Sequence, residues 1–215
     1  DAKDEEGWSA LQRAAEAGEA AAVAELLRRP SVEVNGVEPD SGQSALFIAS
    51  MAGHAAVVRL LLACAEVEIN LAATGGYTAL LIAAQMGNGA VAELLLAHAT
   101  IDPNQANQNG ATPLFMAAQK GNEAIVRLLL AHAAIDANQA KQNGDTPLFI
   151  AAQYGRKAVV EVLLEHAAID PNQANQNGAT PLSRSAQDGN EAVVRLLLAH
   201  AAVDPNQADR LGRTP

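Results

Sequence analysis

An all-α solenoid of stacked helix-turn-helix units with β-hairpin tips is the fold the sequence predicts, and three observations carry that reading. Glycines recur at Gly7, Gly42, Gly76, Gly110, Gly144, Gly178 and Gly212, first 35 residues apart and then 34 apart at every later step. Hydrophobic residues make up 49% of the chain but aromatics only 3%. The core must therefore come from Leu, Ile, Val and Ala in thin layers, which suits short helices at close quarters. Finally, a turn and two short helices cannot bury enough surface alone, so the repeated unit makes sense only in a row of its own kind.

The period divides the chain into units 7–41, 42–75, 76–109, 110–143, 144–177 and 178–211, with a seventh begun at 212–215. The unit from Gly110 serves for all. Asn109-Gly110 is a hairpin-turn signal, because both residues tolerate positive φ. Thr112 is placed to cap a helix whose first residue is Pro113, where a missing N–H is harmless. Leu114 to Gln119 gives a short first helix that Gly121 stops. Asn122 reads as the cap of a second helix running through Ala131, with Ile125, Val126, Leu128, Leu129 and Leu130 as a wide buried face. The stretch 101–104 and its equivalents connect one unit to the next tip.

Gly110-Ala111-Thr112-Pro113-Leu114, then Ala117-Ala118, Gly121, Ile125-Val126 and Leu128-Leu129-Leu130, resembles the ankyrin repeat, and 144–148 repeats the match. The resemblance covers essentially residues 1–215, read as a single ankyrin-repeat domain. It departs from the family in three ways. Each unit carries one residue more than the usual repeat of about 33. The family's His after Thr-Pro-Leu is replaced by Gln12, Phe47, Leu81, Phe115, Phe149 and Ser183, so packing is expected in place of a Thr–His bond. Ala65, Ala99, Ala133, Ala167 and Ala201 stand where a Gly usually closes the second helix. Ala is strained at positive φ, so a different helix exit is expected.

Charge narrows the function. The formal net charge is −10, which disfavours nucleic acid and anionic membrane as partners. The single cysteine, Cys64, excludes an internal disulfide framework and is compatible with a cytoplasmic or otherwise reducing compartment. No apolar run approaches a membrane span, and the acidic first residues are no signal peptide. The chain begins with Asp1 rather than Met, which reads as a fragment or a processed chain.

Residues 34 apart should stack into columns. Arg29, Cys64, His98, His132, His166 and His200 form one. Packed helices lie about 8–10 Å apart while Zn–N bonds need about 2.0–2.1 Å, so a metal site is not expected, and His in a last helical turn suits the helix dipole. Glu25, Arg59, Glu93, Arg127, Glu161 and Arg195 alternate in sign, which predicts an ion-pair ladder between repeats. Asn35, Asn70, Asn104, Asn138, Asn172 and Asn206 are expected to staple loops.

No phosphate loop, Cys–His dyad or Gly-x-Ser-x-Gly is present, so neither catalysis nor a cofactor or metal is expected. The family resemblance implies protein–protein binding through the tips and the concave face. After each repeat glycine stand Trp8, Gln43, Tyr77, Ala111, Asp145, Ala179 and Arg213. At the first-helix ends stand Glu16-Ala17, Ser50-Met51, Gln85-Met86, Gln119-Lys120, Gln153-Tyr154 and Gln187-Asp188. These positions vary where the framework hardly does, which marks exposure. The expected contact residues are Trp8, Met51, Tyr77, Met86, Lys120, Asp145, Tyr154 and Asp188, aromatic and Met side chains being frequent interface anchors. The chain reads as a monomer, with end-to-end stacking at its C-terminal repeat as the route to self-association. Two other readings stay open. Residues 101–114 and 169–182 are identical, which suits a designed scaffold without a natural partner. The unfinished seventh repeat suits the targeting segment of a longer bacterial or viral effector.

Overall fold

The structure is a computed structural model that describes residues 3–5 and 7–215. It divides into two compact units, Asp1–Gln108 and Asn109–Pro215, and the boundary falls where the third repeat meets the fourth. In unit 1 the first helices of successive repeats are α1 (Ala10–Ala17), α3 (Ala45–Ala52) and α5 (Ala79–Met86). Their second helices are α2 (Ala20–Leu26), α4 (Ala55–Leu62) and α6 (Gly89–Leu96). Unit 2 repeats the plan with first helices α7 (Pro113–Lys120), α9 (Pro147–Gln153) and α11 (Pro181–Gln187). Its second helices are α8 (Glu123–Leu130), α10 (Lys157–Glu165) and α12 (Glu191–Ala199). Within each unit first helices pack on first helices and second on second.

Each first helix starts and stops as its sequence dictates. The Thr112 hydroxyl accepts from the Phe115 N–H at 3.1 Å, Pro113 occupies the first turn, and Gly121 closes α7 at φ 82°. Ser44, Thr78, Thr146 and Thr180 cap their helices in the same way. The first-helix face is almost wholly apolar and buried. Leu114, Phe115, Met116, Ala117 and Ala118 are all sealed from solvent, as are Leu148 to Ala152. At about 25 cal/mol per Å² of apolar surface, that burial is the main source of stability.

Two expectations are corrected and a third is met. The tips are tight turns, not strand hairpins: among the described residues only isolated bridges occur, at Lys3–Ser9, Val37–Ser44 and Ala73–Tyr77. As expected, the second helices take a different exit: they leave without positive φ, and no described non-glycine residue adopts it. Ala97 and Ala131 stay right-handed, and the chain turns away through tightened bonds such as His98 N–H to the Leu95 carbonyl at 3.1 Å. Asn122 does not cap its own helix with its side chain.

The Asn122 column has another use. The Asn88 Nδ2 donates back to the carbonyls of Ser50 and Met51, at 2.8 and 3.0 Å. Asn190 does the same to Ala152 and Gln153, at 2.9 and 2.8 Å. Arg156 Nε reaches the Gln119 carbonyl at 3.1 Å. These carbonyls lie at the end of the preceding first helix, where no partner exists within the helix.

The loop asparagines form the expected staples. Asn138 donates to the Ala168 carbonyl at 2.6 Å and accepts from the Asp170 N–H at 2.9 Å. Asn172 joins Ala202 and Asp204 in the same way, both at 2.7 Å. In unit 1, Asn35 joins Glu66 and Glu68, and Asn70 joins Thr100 and Asp102.

The ion-pair ladder is not formed. Among the described residues, no two members of the alternating column pair within either unit. Glu25 pairs with Arg28 at 2.9 Å and Glu161 with Lys157 at 3.1 Å. Arg195 pairs with Glu191. Arg127 bonds Glu123 at 3.1 Å and crosses to Glu165, not Glu161, at 3.5 Å. A neighbour three or four residues along the same helix has its Cβ about 5–6 Å away, nearer than an adjacent helix axis at about 8–10 Å.

Candidate functional site

The turn glycines fix how the tips approach one another. Gly144 has φ 86°, and a Cβ there would sit 2.8 Å from the backbone nitrogen of Gln176 in the next tip. That nitrogen donates to the Asn143 carbonyl at 3.0 Å. Gly76 stands in the same relation to Gln108, which bonds the Gly75 carbonyl at 2.9 Å. Glycine is therefore required by conformation and by space, and the residues flanking it are held in a fixed register along each unit.

In unit 1 the sequence singled out Trp8, Met51, Tyr77 and Met86. Trp8 is half-buried, with the Arg13 guanidinium 4.5 Å from its ring centroid; Arg13 also pairs with Asp4 at 2.9 Å. Met51 and Tyr77 lie together, packed against Phe47, Ala73 and Ile82. Met51 stands one place before the end of α3, which closes at Ala52, so it matches Gln85 and turns partly inward. Met86 ends α5 and is 56% exposed.

In unit 2 the four residues Lys120, Asp145, Tyr154 and Asp188 behave differently from one another. Lys120 ends α7 in solvent. Tyr154 closes α9 and is 51% exposed, a large aromatic ring left in water. Asp188 closes α11 and pairs with Arg184 at 2.9 Å. Asp145 is buried, and its carboxylate accepts from the Asn143 and Asn175 amides at 2.7 and 2.9 Å. It ties two tips together and presents nothing outward.

Arg184 and Arg210 were not singled out by the sequence, yet both line a cleft of about 480 Å³ with Phe149, Ala179 and Arg213. A column reading of charge would have found them.

Glu38, Asp209 and Cys64 are shifted by their local surroundings. The Glu38 carboxylate accepts from the Ser41 hydroxyl and from the N–H groups of Asp40 and Ser41. These bonds, the Ser41 hydroxyl first, hold it below the ordinary range. Asp209 is lowered by the backbone N–H of Arg213 and then by its guanidinium. Burial, then Glu66, pushes the Cys64 thiol up, which disfavours the reactive thiolate. His98 and His132 turn Nδ1 onto the backbone N–H groups of Thr100 and Ala134, at 3.4 and 3.3 Å.

The family pattern described as "Ankyrin repeats (3 copies)" matches residues 1–73, 32–107 and 99–175, and that described as "Ankyrin repeat" matches 177–210. The chain belongs to the ankyrin repeat family. Its fold is the family's all-α fold, which is generally a protein–protein interaction module, and its members are generally non-enzymatic binding modules. Among solved structures, it is similar to the ankyrin repeat domain of Bcl-3, described as a unique member of the IkappaB family. The identity is 26% and the TM-score 0.87, over 98% of this chain and 93% of that one. The ankyrin repeat domain of human ASB11 is 27% identical with a TM-score of 0.81, over 96% and 90% of the two chains. A third ankyrin repeat domain, ABAYE2397 from Acinetobacter baumannii AYE, is 26% identical with a TM-score of 0.78, over 88% and 96%. Comparison with curated protein sequences gave no significant match.

Proposed function

We propose that this ankyrin repeat chain is a non-catalytic scaffold that holds a protein partner on its turn tips and first-helix ends, the face that the family resemblance makes concave. The observation that carries the reading is the exposure of Met86 and Tyr154 at 56% and 51%. Both are large and apolar, and both end a first helix whose other apolar residues are buried. Folding gains little from them there, whereas an interface gains most from such side chains. Trp8, with its face under Arg13, and the partly buried Met51 and Tyr77 add further aromatic and thioether groups in unit 1. Asp145 is left out, because its carboxylate is spent on two asparagines.

Affinity capture on immobilised protein tests this, comparing the native chain with Met86→Ser/Tyr154→Ala and with Arg195→Ala on a second helix. The captured partner should be lost with the first variant, while its stability changes by no more than about 0.5 kcal/mol. It should be retained with the second. Loss on Arg195→Ala alone, with the double variant silent, would move the binding face to the second helices. The letter-for-letter identity of 101–114 with 169–182 favours one further reading, a designed scaffold without a natural partner; under it no capture responds to either variant.

A further inference from the structure

We propose that the cleft between α11 and the turn tips at 175–179 and 209–213 receives an acidic peptide segment, its carboxylates on Arg210, Arg184 and Arg213 and an apolar side chain against Leu211. The proposal rests on the partner-binding reading above and names the chemistry of the partner. The cleft lies wholly within unit 2 and measures about 480 Å³. Four charged residues line it, Arg184, Arg210, Arg213 and Asp209. The chain as a whole has 14 Lys and Arg against 24 Asp and Glu, so a cleft with three cations and one carboxylate runs against the composition.

Three separate columns change to produce it. Met116 and Ile150 precede Arg184, Gln142 and Gln176 precede Arg210, and Ala179 precedes Arg213. None of these columns carries a cation earlier in unit 2. A general demand for polar surface would be met by either sign; here all three changes bring the same one, and bring it to one cleft.

The guanidinium groups are not equally committed. Arg213 pairs with Asp209 at 2.7 Å and Arg184 with Asp188 at 2.9 Å. Arg184 also donates to Gln187 at 3.2 Å. Among the described residues no carboxylate lies within pairing distance of Arg210, which is exposed. An incoming carboxylate would meet Arg210 first and share the other two. Leu211, 76% exposed at the same tip, supplies the apolar contact, and Phe149 forms the floor. Long-range repulsion from a net charge of −10 is screened beyond about 8–10 Å at moderate salt, so the local field governs a bound segment. A guanidinium also accepts a carboxylate in two-point geometry that an ammonium cannot offer.

The probe is a short fluorescein-labelled peptide with alternating Glu around a central Leu, followed by anisotropy against the full chain. Its isostere with Gln in place of Glu is the companion. Saturable binding of the Glu peptide alone, weakened by salt, is the expected result. Arg210→Gln should weaken it about ten-fold, the scale for one charge-assisted bond. Arg195→Gln removes the same charge from a second helix and should leave binding within about two-fold. Equal binding of the Gln peptide, equal loss with Arg195→Gln, or no saturable binding overturns the proposal. If it fails while Met86→Ser/Tyr154→Ala still abolishes partner capture, the scaffold reading stands and only the acidic chemistry is wrong.

Discussion

Along the loop edge, Asn35, Asn70, Asn138 and Asn172 each make the same two bonds to the next repeat. At the first-helix ends, the equivalent places hold Ala17, Ala52, Met86, Lys120, Tyr154 and Asp188. The difference lies in what each side chain touches. A loop asparagine satisfies a carbonyl and an N–H that are otherwise unpaired, and only one residue type offers both a donor and an acceptor at that length. A first-helix end touches solvent, and its identity is free to vary. Uniformity therefore marks commitment to the neighbouring repeat, and variety marks surface available for something else.

The strongest way to sharpen the contrast is to injure the committed side. Leu129 is fully buried in α8, and Leu129→Ala should cost about 2–5 kcal/mol of unfolding free energy in urea titration. A loss below about 1 kcal/mol would place Leu129 outside the shared core. Next in size, Asn172→Ala removes two bonds of 2.7 Å and should cost about 1–3 kcal/mol. Hydrogen exchange at the Asp204 amide should accelerate with it. If stability is unchanged, the loop staples are ornaments and the comparison collapses.

The smallest effect is one of pH. Glu38 is lowered in the folded state by the Ser41 hydroxyl and two N–H donors, so its contribution is full above the ordinary carboxylate range, about 4. It is lost as pH falls through the folded value, because the unfolded chain takes up the proton first. Glu38→Gln should therefore narrow the gap in urea midpoint between neutral and acid pH relative to the native chain. A gap of the same width would mean that the three donors do not bias the ionised form.

Much of this was legible in the sequence, and the unread parts share a cause. Thr112, Pro113 and Gly121 announce a helix because capping and positive φ are local matters. The Asn122 column was misread as a set of local caps, since the carbonyls that Asn88 and Asn190 meet lie 37 and 38 residues back. The charge column was misread for the opposite reason, as a long-range ladder where nearer partners three or four residues away prevail. At the candidate site, Met86 and Tyr154 were visible as variable, exposed helix ends. Asp145 looked the same on paper, and only the position of Asn175 shows it to be occupied.

Apart from the Asp145–Asn175 and Arg127–Glu165 side-chain pairs, the polar staples between repeats end on main-chain atoms: asparagine side chains reach carbonyls and N–H groups, and tip nitrogens reach tip carbonyls. Every residue but proline has both groups, so these particular bonds do not depend on the neighbour's letters. At these bonds, copying or deleting a unit leaves the seam on either side unchanged. The two identical fourteen-residue stretches, 101–114 and 169–182, show the same letters serving at two places in the array.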